Sequence, residues 1–195
     1  MNDLLAISEQ MQARAREIIR ETRVVEIWES FGATINLVGS MRTGLILTRR
    51  DIDFHIYSEP FVLADSFAAV SAIAANPRIT RIEYGNQRDT DECCVEWHAW
   101  YRDNDDQLWQ LDMIHIMSDS RYVGHFEKVA DRILDVMTPP QKLSILSIKH
   151  DLPEGHDVMG IEIYQAVIRD GITDYASFAE WRKEHPNPGV IDWMP

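Results

Sequence analysis

The chain has almost no cysteine. Its two thiols, Cys93 and Cys94, are adjacent, and a disulfide framework needs cysteines spread along the chain. They read as two small residues at a strand, one facing each side, in a protein of a reducing compartment. Long apolar runs are also missing: no stretch approaches the roughly 18 residues of a membrane span. The N-terminal MNDLLAISEQ is acidic and amphipathic, unlike a signal peptide. These absences together predict a cytoplasmic protein with no membrane partner. Basic residues are scarce as well, 19 Lys and Arg against 32 Asp and Glu, for a net charge of −13. Phosphate backbones are held by clustered Lys and Arg, so this balance predicts no nucleic-acid partner. A single basic pocket for a nucleotide stays compatible with it.

What is present is ordinary globular composition, 45% hydrophobic and 26% charged over 195 residues. A chain of this size buries roughly 70% of its extended surface, enough for a core and a cleft. It is too short for a (β/α)₈ barrel or a two-domain dehydrogenase.

Residues 2–31 carry apolar side chains at helical spacing, with a break near Thr22, and Gly32 closes them. Thr34 to Val38 reads as a strand ending in a tight turn at Gly39-Ser40. Asp51 to Tyr57 alternates as a half-buried strand does. Pro60 to Ala75 reads as a helix. Residues 79–85, 93–101 and 107–116 read as three strands, the last two joined through Asp103-Asn104-Asp105-Asp106. An amphipathic helix is expected from Ser118 or Asp119 to Met137. Further helices are expected at about 140–150, 156–170 and 174–184, then a Pro-rich tail, Pro186 to Pro195, wrapping the surface. The fold class is α+β, a mixed sheet flanked by helices with a C-terminal helical segment. The organisation expected is a catalytic domain over 1–138 and a helical segment over 139–195.

The chemistry concentrates in Leu37 to Phe54. Asp51 and Asp53 lie two apart on a strand and point to one face. Two close carboxylates raise each other's pKa unless a cation sits between them, and oxygen-only ligands suit Mg²⁺ or Mn²⁺. Gly39 lets backbone N–H groups approach a phosphate, and Ser40 adds a hydroxyl donor. A phosphate cradle joined through ten residues to a carboxylate pair suits phosphoryl or nucleotidyl transfer.

Val38-Gly39-Ser40 followed by Asp51-Ile52-Asp53-Phe54 resembles the signature of the DNA polymerase β-like nucleotidyltransferase superfamily. Gly39-Ser40-Met41-Arg42-Thr43-Gly44 is similar to the extended form in its small stand-alone members, the antibiotic nucleotidyltransferases among them. Arg50 departs from the Ser or Thr usual before the acid pair. The resemblance implies a third carboxylate from a later strand. Asp112, the one acid within Leu108 to Ile116, is the first candidate and Glu96 the second; hairpin register decides between them and the sequence leaves it open.

The implied reaction moves a nucleoside monophosphate, AMP by analogy, from a nucleoside triphosphate to an acceptor hydroxyl and releases pyrophosphate. Asp51, Asp53 and Asp112 hold Mg²⁺ or Mn²⁺, and Gly39, Ser40 and Arg42 bind the nucleotide. Lys142 and Lys149 are weaker cationic candidates, more simply read as a solvated helix face. His55 shares the face of Asp51 and Asp53. Trp97, Trp100, Tyr101 and Trp109 read as packing, or as a stacking platform. Size and acidity point to a small-molecule acceptor of the antibiotic type. The alternative is a non-catalytic, antitoxin-like protein that binds a protein partner through its C-terminal helices. Oligomeric state and acceptor identity are not written in the sequence.

Overall fold

A computed structural model describes residues 2–186 and 193–195, so most of the proline-rich tail lies outside the described residues. Two helices open the chain, α1 (Asn2–Thr22) and α2 (Val24–Ser30). They part where expected. The Thr22 hydroxyl bonds back to the carbonyls of Ile18 and Ile19, at 2.8 and 3.1 Å, and Arg23 takes a left-handed φ of 54°.

The sheet follows: β1 (Thr34–Leu37), β2 (Asp51–Tyr57), β3 (Ile79–Gln87), β4 (Cys94–Arg102) and β5 (Leu108–Ile116). The short α3 (Gly39–Thr43) sits between β1 and β2, and α4 (Leu63–Ala74) crosses from β2 to β3. Strand order is β1-β2-β5-β4-β3. The β2–β5 pair is parallel and the other pairs are antiparallel, so the sheet is mixed and the fold α+β.

Four helices complete the chain: α5 (His125–Val136), α6 (Pro139–Asp151), α7 (Gly160–Ile168) and α8 (Tyr175–Glu184). Helix α5 starts later than the apolar spacing suggests. Residues 118–124 form turns, ending at Gly124 with φ 66°, whose N–H donates to the Tyr57 hydroxyl at 3.1 Å. A left-handed residue pinned to the sheet cannot extend a helix backwards. Helix α6 is capped as Thr138-Pro139-Pro140-Gln141 dictates: the Gln141 N–H donates to the Thr138 hydroxyl at 3.5 Å, and the Thr138 N–H donates to the Gln141 side chain at 2.9 Å.

Period-two alternation assigns the two sheet faces. Ile52, Phe54, Val95, Trp97, Ala99, Tyr101, Trp109, Leu111 and Met113 are buried in a cluster with Ala15, Ile18 and Trp28 of the first helices and Ala69, Val70 and Ile73 of α4. A second cluster joins Leu45 and Leu47 of the α3–β2 connection to α5, α6, α7 and α8. It therefore draws residues from both sides of position 138. Asp51, Asp53, Asp112, His98 and Glu96 lie on the opposite sheet face from the first cluster, and all five are only partly buried.

Candidate active site

The strands set the positions of the acids before any side chain is considered. In the parallel β2–β5 ladder Asp53 pairs with Asp112, and Asp51 pairs with Gln110. Paired residues on neighbouring strands point to the same face, so three carboxylates converge there. Asp112 is thus the residue register selects. Glu96, on β4 and so one strand further from β2, pairs with Ile114 of β5 and does not line the cavity.

That cavity, about 450 Å³, is lined by Gly39, Ser40, Asp51, Asp53, His55, His98 and Asp112 on its polar side. Phe126, Val129 and Ile133 of α5 and Ile161, Ile163 and Tyr164 of α7 form an apolar wall. Arg49, Lys149 and His156 complete it.

Gly39 opens the short helix α3 rather than a tight turn, and its φ of 58° is the left-handed region that favours glycine. A Cβ at this position would meet Asp53 Cγ at 2.9 Å. Asp53 is therefore packed directly against the backbone of Gly39, and the Val38 N–H donates to the Asp53 carbonyl at 3.0 Å.

The electrostatics are those of crowded anions. Burial, then Asp51 and Asp112, push the Asp53 carboxyl well above the usual carboxylate range, against the opposing pull of Lys149 and Arg49. Asp51 Oδ1 is buried without a hydrogen-bond partner among the described residues. Asp112 accepts from Gln110 Nε2 at 2.7 Å and is bonded to His98 Nδ1. That bond raises the His98 pKa against the opposing effect of burial.

Among the described residues, the one trio of metal-capable side chains whose ligand atoms all lie within 4.8 Å of one another is elsewhere, at Glu92, Cys94 and Glu96. The ligand atoms of the three aspartates do not all fall within that distance of one another. An all-oxygen donor set, an unsatisfied buried oxygen and a carboxyl destabilised by its neighbours are nevertheless what a hard divalent cation relieves, so these residues fit Mg²⁺.

Arg42 is not brought to the cavity. Its guanidinium pairs with Asp131 through Nε at 2.7 Å and Nη2 at 2.8 Å, and donates to the Leu37 carbonyl at 3.1 Å. A fork satisfied by a facing carboxylate stays with it. Lys149 takes the place beside the acids. Its ammonium donates to the Leu45 carbonyl at 2.8 Å and the Tyr164 hydroxyl at 3.0 Å. Arg49 joins it, donating to the His156 carbonyl at 2.7 Å.

His55 is buried at the cavity edge, 3.6 Å from Glu127 Oε2 and edge-on to Phe126. Burial alone would raise the Glu127 carboxyl, but bonds to His55 and Tyr57 bring it down to about 2. Trp97, Tyr101 and Trp109 pack into the core, their polar atoms satisfied by Ser66, Glu21 and Asp103. His98 has no signal of its own in the sequence: it shows only once Asp112 is known to lie opposite it.

No protein-family model matches the sequence, and neither does any curated protein sequence. Solved structures do match. A Cid1 poly(U) polymerase with MgGTP bound aligns at TM-score 0.60 and 13% identity, over 83% of this chain and 50% of that one. Cid1 studied as an RNA terminal uridylyl transferase aligns at 0.58 and 14%, over 81% and 46%. The non-canonical poly(A) polymerase complex GLD-2–GLD-3 aligns at 0.57 and 9%, over 98% and 65%. The chain spans about half the length of the Cid1 structures. At these identities the likeness establishes the fold alone, the one these polymerases and transferases share.

These matches correct one expectation. A small-molecule acceptor with no nucleic-acid partner was read from size and acidity, whereas the matching proteins act on RNA, one of them in a protein complex. The physical reason is that net charge is a property of the whole surface. Phosphates are met locally, and here Arg49 and Lys149 stand in the cavity of a chain with charge −13. No helix among the described residues is long and apolar enough to cross a membrane.

Proposed function

We propose that this chain is a divalent-metal-dependent nucleotidyltransferase that adds a nucleoside monophosphate from a nucleoside triphosphate to the 3′-hydroxyl of RNA, releasing pyrophosphate. The observation that carries the reading is the register: Asp53 opposite Asp112, with Asp53 packed against Gly39 and Asp51 two residues along. Its fold is shared with RNA terminal transferases.

Asp51 and Asp53 would hold the divalent cation, with Asp112 completing the set. Such an ion, when bound, offsets charge on the triphosphate and polarises its phosphoryl oxygens. The Gly39 backbone and the Ser40 hydroxyl face the cavity where phosphate oxygens would lie. Lys149 adds a fixed positive charge, oriented by the Leu45 carbonyl and Tyr164 rather than left to solvent. Asp112 is oriented by His98 and Gln110, and accepts the proton from the attacking hydroxyl. The apolar wall of α5 and α7 gives the base a water-poor surface.

The test is extension of a 5′-labelled single-stranded RNA with each of the four nucleoside triphosphates and Mg²⁺ or Mn²⁺. Stepwise lengthening that Asp53→Asn and Asp112→Asn abolish is expected. No lengthening and no pyrophosphate release with any triphosphate, from folded protein, overturns the reading.

A further inference from the structure

A second set of ligating side chains lies on the same sheet face, outside the cavity. Glu92 is in the β3–β4 turn, Cys94 opens β4, and Glu96 follows two residues on, so Cys94 and Glu96 point the same way. A sulfur and two carboxylate oxygens, one from each residue, all lie within 4.8 Å of one another. The Cys94 side chain is 2% exposed and makes no hydrogen bond among the described residues. A buried thiol aimed at two carboxylates, with nothing to donate to, is unusual packing for a cysteine, which normally lies among apolar neighbours.

The surroundings hold this arrangement in place. Across β3, Gly85 pairs with Glu96, and a Cβ there would come within 2.7 Å of Glu96 Oε2. The glycine thus leaves the carboxylate its room. The Glu92 carbonyl accepts from Ser120 Oγ at 2.6 Å, and the Cys93 carbonyl accepts from the Met117 N–H at 2.9 Å. The turn is therefore pinned to the segment that follows β5.

The geometry points to a binding site for one thiophilic divalent cation, Zn²⁺ by its donor chemistry, held by Cys94 Sγ and the carboxylates of Glu92 and Glu96. One thiolate with two carboxylates is a three-ligand zinc set that leaves a position for water, whereas Mg²⁺ disfavours sulfur. The site is thus chemically distinct from the all-oxygen aspartates. Binding forms the S–Zn bond as the Cys94 S–H proton leaves to solvent. The bound ion would tie the β3–β4 turn to the sheet.

Metal-free protein titrated with Cd²⁺ as a spectroscopic substitute tests this. One equivalent of Cd²⁺ is expected to bring up the ultraviolet thiolate-to-metal band, and Zn²⁺ to compete it away. Cys94→Ser should abolish the band, Cys93→Ser should keep it, and Glu96→Gln should weaken binding by about tenfold or more. Asp53→Asn should leave it unchanged, which separates this site from the proposed catalytic one. A band that survives Cys94→Ser, one that depends on Cys93, or the absence of saturable binding to the folded wild-type chain overturns the assignment.

Discussion

Asp53 on β2 and Asp112 on β5 are direct partners in a parallel ladder, two carboxylates on one face with the Gly39 backbone against the first of them. Their mutual repulsion is a cost to the fold that a cation reverses.

Replacing Asp53 by asparagine removes one charge from that cluster. In the absence of divalent ions Asp53→Asn should melt higher than wild type by roughly 2–4 °C, about 1 kcal/mol for a chain of this size. With Mg²⁺ and triphosphate present the order should reverse, since only the wild type gains from binding. Differential scanning calorimetry under both conditions reads the crossover.

Gly39→Ala brings two penalties together: a left-handed backbone, costing about 1–2 kcal/mol, and a Cβ against the Asp53 carboxyl. Loss of transferase activity should exceed the loss of stability, because the displaced group is one of the ligands. Denaturant midpoints measured beside extension rates distinguish the two.

Lys149→Met keeps the length of the side chain and removes its charge. Roughly 1.5–3 kcal/mol of charge-assisted bonding to the nucleotide would go, a drop in kcat/KM of about tenfold to a hundredfold. Arg42→Met should change activity far less, since its guanidinium is spent on Asp131. Equal losses from the two substitutions would contradict the cavity assignment.

His115 carries the pH prediction. It is 1% exposed, edge-on to Trp28 and tilted against Phe61, with Nε2 2.9 Å from Ser58 Oγ and Nδ1 unpartnered among the described residues. Burial lowers its pKa to about 4. The unfolded chain binds this proton near pH 6.5 and the folded chain only near 4. Stability is therefore complete above 6.5 and falls by about 3 kcal/mol as pH drops to 4. Chemical denaturation across that range should show the slope, and His115→Gln should flatten it.

Much of this was legible in the chain. Thr34 to Leu37 and Asp51 to Phe54 declare their strands through local spacing, and the break at Thr22 shows in the helical pattern. Asp112 stood out as an acid in an apolar strand, but its place opposite Asp53 is a long-range fact. Strand β5 inserts between β2 and β4, which no local pattern dictates. His98 carried no signal of its own and Lys149 only a weak one, for the same reason: each is placed by a partner distant in sequence. Arg42 illustrates the converse: close in sequence to Gly39 and Ser40, it is paired with Asp131 on α5. The delayed start of α5 reflects Gly124 and Tyr57, a tertiary bond overriding an apolar periodicity.

The ten residues from Met41 to Arg50 join Ser40 to Asp51. Leu45 lends its carbonyl to the Lys149 ammonium while its side chain seats among the C-terminal helices. The connector thereby helps to fix where that ammonium stands, together with Tyr164 of α7. Inserting or deleting a single residue there would shift that charge without touching any side chain of the cluster.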